Sequence, residues 1–437
     1  MTITYDPHNS VYLDEADTRH ELERVFDLCQ GCRLCFKFCP SFPTLFDYID
    51  QHDDQDAGKM TPAQQDHVVD GCFQCKLCYV NCPYTPDLHE WAIDFPRLML
   101  RADAMRRANG QESLRSRITT AVLGRTDAMG KVATNSGPIA NFVLGAKPGG
   151  VIRKLVELTS GVSSKRLLPP FARTRFTTWF KRRPTVRINK RQGKVAIFPT
   201  CIVEYQAPEI GHDLVRVYEH NGVECTLAEG STCCGAPFLH NGDIAQFTKL
   251  AVKNVDVLSD HVRRGVDIVV SQPTCSYVLK KDYLDYVGGP NAQLVADHTF
   301  DAAEYLMKLH STEGSTLDLE FRGDVPDTIS YHTPCHLRAQ NIGLKSRDLM
   351  KLTGAKVTVI QQCSGIDGMW GLRAENVDLS FPIGAKLGKM VLDAEGEVVT
   401  GDCHLANTAI AEQTGLTPYH PLQILARAYG IPQDEIR

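Results

Sequence analysis

From Lys194 onward, apolar residues follow two alternating periodicities. Short apolar runs ("KVAIF", "VECTLA", "VDIVV", "TISYH", "KVTVI" and "GEVVT") have the length and composition of buried strands. Between them apolar positions recur every three or four residues, as at Ile244, Phe247, Ala251, Val255, Leu258 and Val262, which predicts a helix. Strands that alternate with helices predict parallel sheets with helices on their faces. Residues 97–193 are patterned differently, as short amphipathic segments such as "ESLRSRITTAVLGRT", "GPIANFVLGA", "GGVIRKLVELTSG" and "FARTRFTTWFKRRPTVRINKR". In the third of these, Val151, Leu155 and Leu158 stand at helical spacing with Arg153 and Lys154 between them. No window approaches about eighteen consecutive apolar residues, so no membrane-spanning helix is expected.

The chain has 437 residues, enough for two or three domains, and its 43% hydrophobic and 23% charged residues are those of an ordinary globular protein. Its net charge of −5 conceals a division. Residues 97–194 hold 22 Lys and Arg against 4 Asp and Glu, whereas residues 1–96 hold 6 against 17. A basic middle with aromatic residues such as Trp179 and Phe180 points to a membrane surface or an acidic partner subunit. A solvated connector is the plainer reading. No nucleic-acid motif accompanies the charge, so nucleic acid is not expected as a partner. The first twenty residues have neither the basic flank nor the apolar core of a secretory signal. Sixteen cysteines in such a chain suggest a reducing compartment where thiols bind metal, hence a cytoplasmic protein, peripheral at the inner face of the cell membrane if the basic region docks there.

Half of those cysteines lie in two runs, "CQGCRLCFKFCP" and "CFQCKLCYVNCP", each spaced C-x2-C-x2-C-x3-C-P. A [4Fe–4S] cube takes one thiolate per iron, and this spacing lets three cysteines wrap one cube. In two-cluster ferredoxins the fourth ligates the other cube. That predicts one cluster on Cys29, Cys32, Cys35 and Cys82, and another on Cys72, Cys75, Cys78 and Cys39, with Pro40 and Pro83 closing the runs. Interleaved Leu34, Phe36, Phe38, Leu77 and Tyr79 are expected to keep water away, and loop N–H groups to bond the sulfurs. Structural zinc is the alternative, but zinc modules use separated pairs of ligands, not triads with a detached fourth.

The remaining cysteines recur twice at strand ends. Cys201, the doublet Cys233–Cys234 and Cys275 form the first set; Cys335, Cys363 and Cys403 form the second. The step from Cys201 to Cys233 is 32 positions and that from Cys335 to Cys363 is 28, so the unit is duplicated. Loops at strand ends deliver these thiols to one place, where a ligand crevice is expected. Cys225 lies in a strand-like run outside the repeat and reads as core. His240 and Asn241 follow the doublet and either orient its loop or cap the helix that begins near Asp243.

The Cys…CysCysGly…Cys unit resembles the cysteine-rich CCG domain of the heterodisulfide reductase family, which includes iron–sulfur subunits of glycolate and lactate oxidases. The likeness extends through "TDAMGKVATNSGPIANFV", "EYQAPEIGHDL", "CCGAPFLHNG", "YHTPCH" and "HPLQILARA". Residues 42–71 lengthen the gap between the ferredoxin runs, as in ferredoxin modules within redox complexes. The fuller family pattern ends each half in Cys-x2-Cys, but Val278 and Ala406 stand at those places, and Ser364 replaces the second doublet's second cysteine. The first half keeps four thiols, enough for one cluster. The second keeps three, completed by His332, His336, His404 or Ser364, or else has lost its metal.

The chain thus reads as an α+β and α/β multidomain protein. A helical dicluster ferredoxin-type domain (1–96) precedes a basic helical linker or docking region (97–193), a first cysteine-rich α/β half (194–325) and a second, degenerate half (326–437). The resemblance implies an electron-transfer subunit that carries electrons from a flavoprotein dehydrogenase of the glycerol-phosphate or 2-hydroxy-acid type toward membrane quinone. Its expected cofactors are two N-terminal [4Fe–4S] clusters and one further cluster, or two, in the cysteine-rich region. A disulfide or thiol reductase is the alternative, and a stand-alone catalyst is less expected than a relay. No G-x-G-x-x-G follows a strand, so no bound flavin or nicotinamide is expected.

Overall fold

A computed structural model describes residues 2–434; Met1 and residues 435–437, the outer ends of the first and last predicted domains, lie outside it. The first module is helical. Its leading helix, Glu15–Cys32, starts where the Asp14 carboxylate accepts the Asp17 N–H, and ends at Arg33 in the left-handed region. Leu22, Val25 and Phe26 form its buried stripe and share a core with Phe42, Phe95, Leu98 and Met99. The last three come from helix Phe95–Ala108, whose N-cap Asp94 accepts the Arg97 N–H.

The basic stretch folds into short helices: Leu114–Gly124, Thr126–Asn135, Gly137–Leu144, Val151–Ser160 and Phe176–Arg182. One of these is inverted with respect to water. Val151, Leu155 and Leu158 of helix Val151–Ser160 are 85%, 62% and 77% exposed, while Arg153 is buried. Arg153 turns inward because carbonyls await it: its guanidinium donates to Leu144 O, Ser163 O and Arg166 O.

Seven parallel strands follow in two sheets. β1 (Gly193–Ile197), β2 (Val223–Leu227), β3 (Asp267–Val270) and β4 (Thr299–Asp301) take the order β2-β1-β3-β4. β5 (Thr328–His332), β6 (Lys356–Ile360) and β7 (Val398–Gly401) take the order β6-β5-β7. The six predicted apolar runs are six of these strands; the three-residue edge strand β4 was too short to register. In the second half only an isolated parallel bridge, Thr400 to Tyr419, stands in the corresponding place. Helix Ile244–Arg263 buries Phe247, Ala251, Val255, Leu258 and Val262, the stripe read from the sequence, and Asp243 caps it. In both sheets the first strand is central, so successive crossovers leave on opposite sides and open a crevice at the strand C-termini.

The halves are tied together by shared cores. The closing helix Pro421–Ala428 returns to the first half, where Leu422, Leu425 and Ala426 pack with Leu214 and Tyr218 of helix Pro208–His220. His420 caps it: its Nδ1 accepts the Leu422 N–H, so Nε2 carries the proton and donates to Ser271 O. Trp370 ties the second half to the N-terminal module, its indole N–H donating to Asp70 O at 2.8 Å and its ring lying edge-on to Phe73 at 4.5 Å.

Two measurements test this packing. Burial pulls the His420 pKa from its ordinary 6.5 to about 4, and protonation would place a proton against the Leu422 N–H. Because the folded value is the lower one, the stabilisation is complete above pH 6.5 and is lost as pH falls toward 4, on the order of 3 kcal/mol from this residue. Denaturant titrations between pH 7 and 4 should show a smaller loss for His420→Gln than for the parent; equal slopes would contradict the assignment. Gly235 has φ +91, and a Cβ there would stand 2.6 Å from the Phe247 ring. Gly235→Ala should cost about 1–3 kcal/mol and lower the thermal midpoint. An unchanged midpoint would mean the turn is not held as described.

Candidate metal centres

The cysteines of the first module lie close enough to shift one another's protons. Cys29 and Cys32 lie on the final turn of helix Glu15–Cys32, where the Arg33 N–H closes back on Cys29 O at 2.8 Å. Burial pushes the Cys29 thiol well up, and the charges of Cys35, Cys82 and Cys32 add to it. Cys35 rises to about 12 by burial and by the nearness of Cys82 and Cys32. Cys29, Cys32, Cys35 and Cys82 therefore lie near one another, and Cys39 also acts on Cys35. Cys72 is raised by burial, then by Cys39 and Cys75; Cys78 by burial, then by Cys75, Cys39 and Cys72. Cys39 thus lies near thiols of both runs.

Local backbone explains how short loops turn sulfurs inward. Gln74 and Lys76 both occupy the left-handed region, φ 59 and 64, in the turns between Cys72, Cys75 and Cys78. Gln74 donates its backbone N–H and its side-chain amide to Cys72 Sγ at 3.5 and 3.4 Å. The Tyr84 N–H reaches Cys82 Sγ at 3.4 Å. Lys76 is buried and hydrogen-bonded to Gln74 Oε1 at 2.8 Å; burial raises the Cys72 and Cys75 thiols, and the Lys76 charge offsets part of that rise. The expected apolar shield is only partly present. Leu77 is buried and Phe38 and Tyr79 are half-buried, but Leu34 and Phe36 are 62% and 58% exposed, although one face of Phe36 stacks on Phe46.

In the first α/β half, Cys201 follows β1, the doublet follows β2 and Cys275 follows β3, so all four thiols sit in the strand-end crevice. These thiols act on one another's protons: Cys201 and Cys234 pull the Cys233 thiol well below its ordinary value, while Cys233 and burial raise Cys201 and Cys234. The doublet loop is pinned from below: Asn254 Nδ2 donates to Cys233 O at 3.1 Å and Tyr283 OH to Cys234 O at 3.0 Å. Asp127, from the basic stretch, accepts the Cys233 N–H at 3.0 Å and the Tyr205 hydroxyl at 3.3 Å. His240 is half-buried with its ring 5.8 Å from that of His336, and Asn241 bonds Pro237 O and Arg373; the following helix is capped by Asp243 instead. Cys225 lies in β2 within the apolar core.

In the second half, Cys335, Cys363 and Cys403 follow β5, β6 and β7. A residue the sequence reading did not single out joins them. Asp367 accepts a hydrogen bond from Cys335 Sγ at 3.3 Å through one oxygen and from Cys363 Sγ at 3.0 Å through the other. His336 is occupied at both nitrogens, by Gln74 O at 3.0 Å and Thr274 Oγ1 at 3.1 Å. Ser364 Oγ accepts the Ile366 N–H. His332 uses Nε2 on Gln362 O and leaves Nδ1 buried without a partner; His404 Nε2 is likewise unpartnered. One cavity is lined by Cys335, Cys363, Asp367 and Cys403 together with Phe38 and Cys75 of the N-terminal module.

Among the described residues, no three His, Cys, Asp or Glu side chains close tightly enough to hold a single metal ion.

Comparison with known proteins agrees with this architecture. Residues 22–110 match the Citrate utilization protein B Fer4-like domain, and residues 195–280 and 329–408 each match the Cysteine-rich domain CCG. One component of the anaerobic glycerol-3-phosphate dehydrogenase of Escherichia coli is 31% identical over 332 residues, 75% of this chain and 81% of that protein. A component of the fumarate reductase (CoM/CoB) of Methanothermobacter marburgensis is 26% identical over 53% of this chain and 45% of its own length. Lactate utilization protein A 2 of Bacillus cereus is 23% identical over 42% of this chain and 76% of its own. A Fer4-like module joined to two cysteine-rich repeats, with identity of this extent, places the chain in the family of that glycerol-3-phosphate dehydrogenase component, the iron–sulfur subunits of dehydrogenases and reductases.

Proposed function

We propose that this chain is the electron-relay subunit of a dehydrogenase complex, taking electrons from a flavoprotein that oxidises glycerol phosphate or a 2-hydroxy acid and passing them toward membrane quinone. The observation that carries this reading is the gathering of the N-terminal thiols, of which Cys75 also lines the cysteine cavity of the C-terminal half. Iron–sulfur clusters, when bound, supply one-electron transfer. Cys29, Cys32, Cys35 and Cys82 would hold one, Cys72, Cys75, Cys78 and Cys39 a second, and Cys201, Cys233, Cys234 and Cys275 a third.

The rest of the chain sets the surroundings of those thiolates. N–H groups of Gln74, Tyr84 and Gly235 aimed at sulfur, and the buried Lys76 ammonium, favour added negative charge and so raise a reduction potential. Exposed Leu34 and Phe36 beside the first set form an apolar edge for the donor flavoprotein to cover. Crossed ligation is tested by anaerobic EPR of single Ser variants. Cys82→Ser should alter the same signal as Cys29→Ser, and Cys39→Ser the same signal as Cys72→Ser. Grouping of Cys39 with Cys29 would contradict the proposal.

Among the described residues no helix is long and apolar enough to cross a membrane. The inverted helix Val151–Ser160, together with Ile139 and Phe142 at 71% and 69% exposure, supports surface docking: an apolar face flanked by Lys147, Lys154 and Lys165 suits an anionic bilayer interface. The protein should co-float with vesicles containing acidic lipid, and Leu155→Glu with Leu158→Glu should abolish flotation. Failure of the parent to float would remove this docking mode.

A further inference from the structure

The second α/β half has lost the doublet's second cysteine to Ser364, yet its three remaining thiols still stand at the ends of β5, β6 and β7 around one cavity. What fills the fourth place is legible in the hydrogen bonds. Asp367 lies four residues beyond Cys363, at φ +34, a conformation costly for a side chain with a Cβ, between Gly365 and Gly368, both also at positive φ. That turn points its carboxylate at two of the three thiols, one oxygen to each, at 3.3 and 3.0 Å. The carboxylate makes no ion pair within 4 Å among the described residues, although Arg338 lines the same cavity. A carboxylate recessed among thiols without a cation lacks the partner that normally offsets its desolvation. Of the other candidates, His336 is bonded at both nitrogens and the Ser364 hydroxyl turns to its own loop; His332 Nδ1 and His404 Nε2 are without partners, but Asp367 is the one that contacts two of the thiols.

We propose that Cys335, Cys363 and Cys403 together with Asp367 form a fourth metal site, which takes a polynuclear iron–sulfur cluster on three thiolates and one carboxylate. The proposal rests on the reading of the chain as an iron–sulfur protein. Loading would release the Cys335 and Cys363 protons that Asp367 now accepts as hydrogen bonds, leaving its oxygens free for iron. The site adjoins the set of Cys39, Cys72, Cys75 and Cys78, since Cys75 and Phe38 line its cavity, so it extends the N-terminal line of centres into the C-terminal half.

The test compares the anaerobically reconstituted full chain with Asp367→Ala, Asp367→Cys, Cys335→Ala and His332→Gln by iron and sulfide content and by low-temperature EPR. Asp367→Ala and Cys335→Ala should each lose about one quarter of the iron, one of four centres, and the same EPR component. Their combination should lose no more than either alone. Asp367→Cys should keep the full iron content but shift the g values of that one component, which a residue that only supports the fold would not do. Full iron and an unchanged spectrum in Asp367→Ala, or loss that follows His332→Gln instead, would overturn the proposal. Iron-free parent protein would instead refute the underlying iron–sulfur reading.

Discussion

Burial raises the proton affinity of most of the cysteines gathered in these four sets, through desolvation of the thiolate and repulsion from neighbouring sulfurs. Clustered thiols in such places are costly to ionise and, left as thiols, poorly satisfied. A positively charged inorganic core reverses both penalties, because thiolate charge then meets iron and the low dielectric strengthens the bond. Where a structure binds metal through such thiols, binding and folding are coupled. The left-handed residues Gln74, Lys76 and Asp367 are local strain of the kind that such coupling can maintain.

The architecture serves this one requirement. Parallel sheets bring three separated loops to a common edge at little backbone cost, and duplication does so twice. The helical module then docks on both halves: Trp370 meets Phe73 and Asp70, and His336 meets the carbonyl of Gln74, the residue whose N–H groups face Cys72, while Arg107 pairs with Asp243 and Leu100 packs into the first half's core. Since the closing helix Pro421–Ala428 returns to the first half, no part of the line can shift without disturbing a core.

The sequence made legible whatever is local in the chain. Cysteine triads, the doublet and the apolar runs have fixed spacing; the apolar runs became strands, and the doublet a strand-end loop, while Cys29 and Cys32 of the first triad close a helix. What depends on approach through space did not show. Asp127 lies 106 positions from Cys233 and has no spacing signature. Asp367 reads as one more polar residue in a Gly-rich loop; only its distances to two sulfurs distinguish it, though its place four residues after Cys363 was a usable hint. Periodicity identified helix Val151–Ser160 but not which face turns inward, because a moment has no sign until carbonyls such as Ser163 O supply a reason for Arg153 to be buried. Leu34 and Phe36 failed as a shield for a related reason: apolar character says nothing about whether a partner segment exists to cover it.

The central claim is that inorganic centres in this one chain stand close enough to sense one another, from the Cys29 set through the Cys39 set to the C-terminal cavity. Redox titration of the oxygen-free full-length protein, followed by pulsed EPR, tests it most directly. The account predicts spectra that broaden and split as successive centres are reduced, through magnetic coupling between neighbours. Sharp, independent signals at every stage of reduction, or protein without iron, would contradict it.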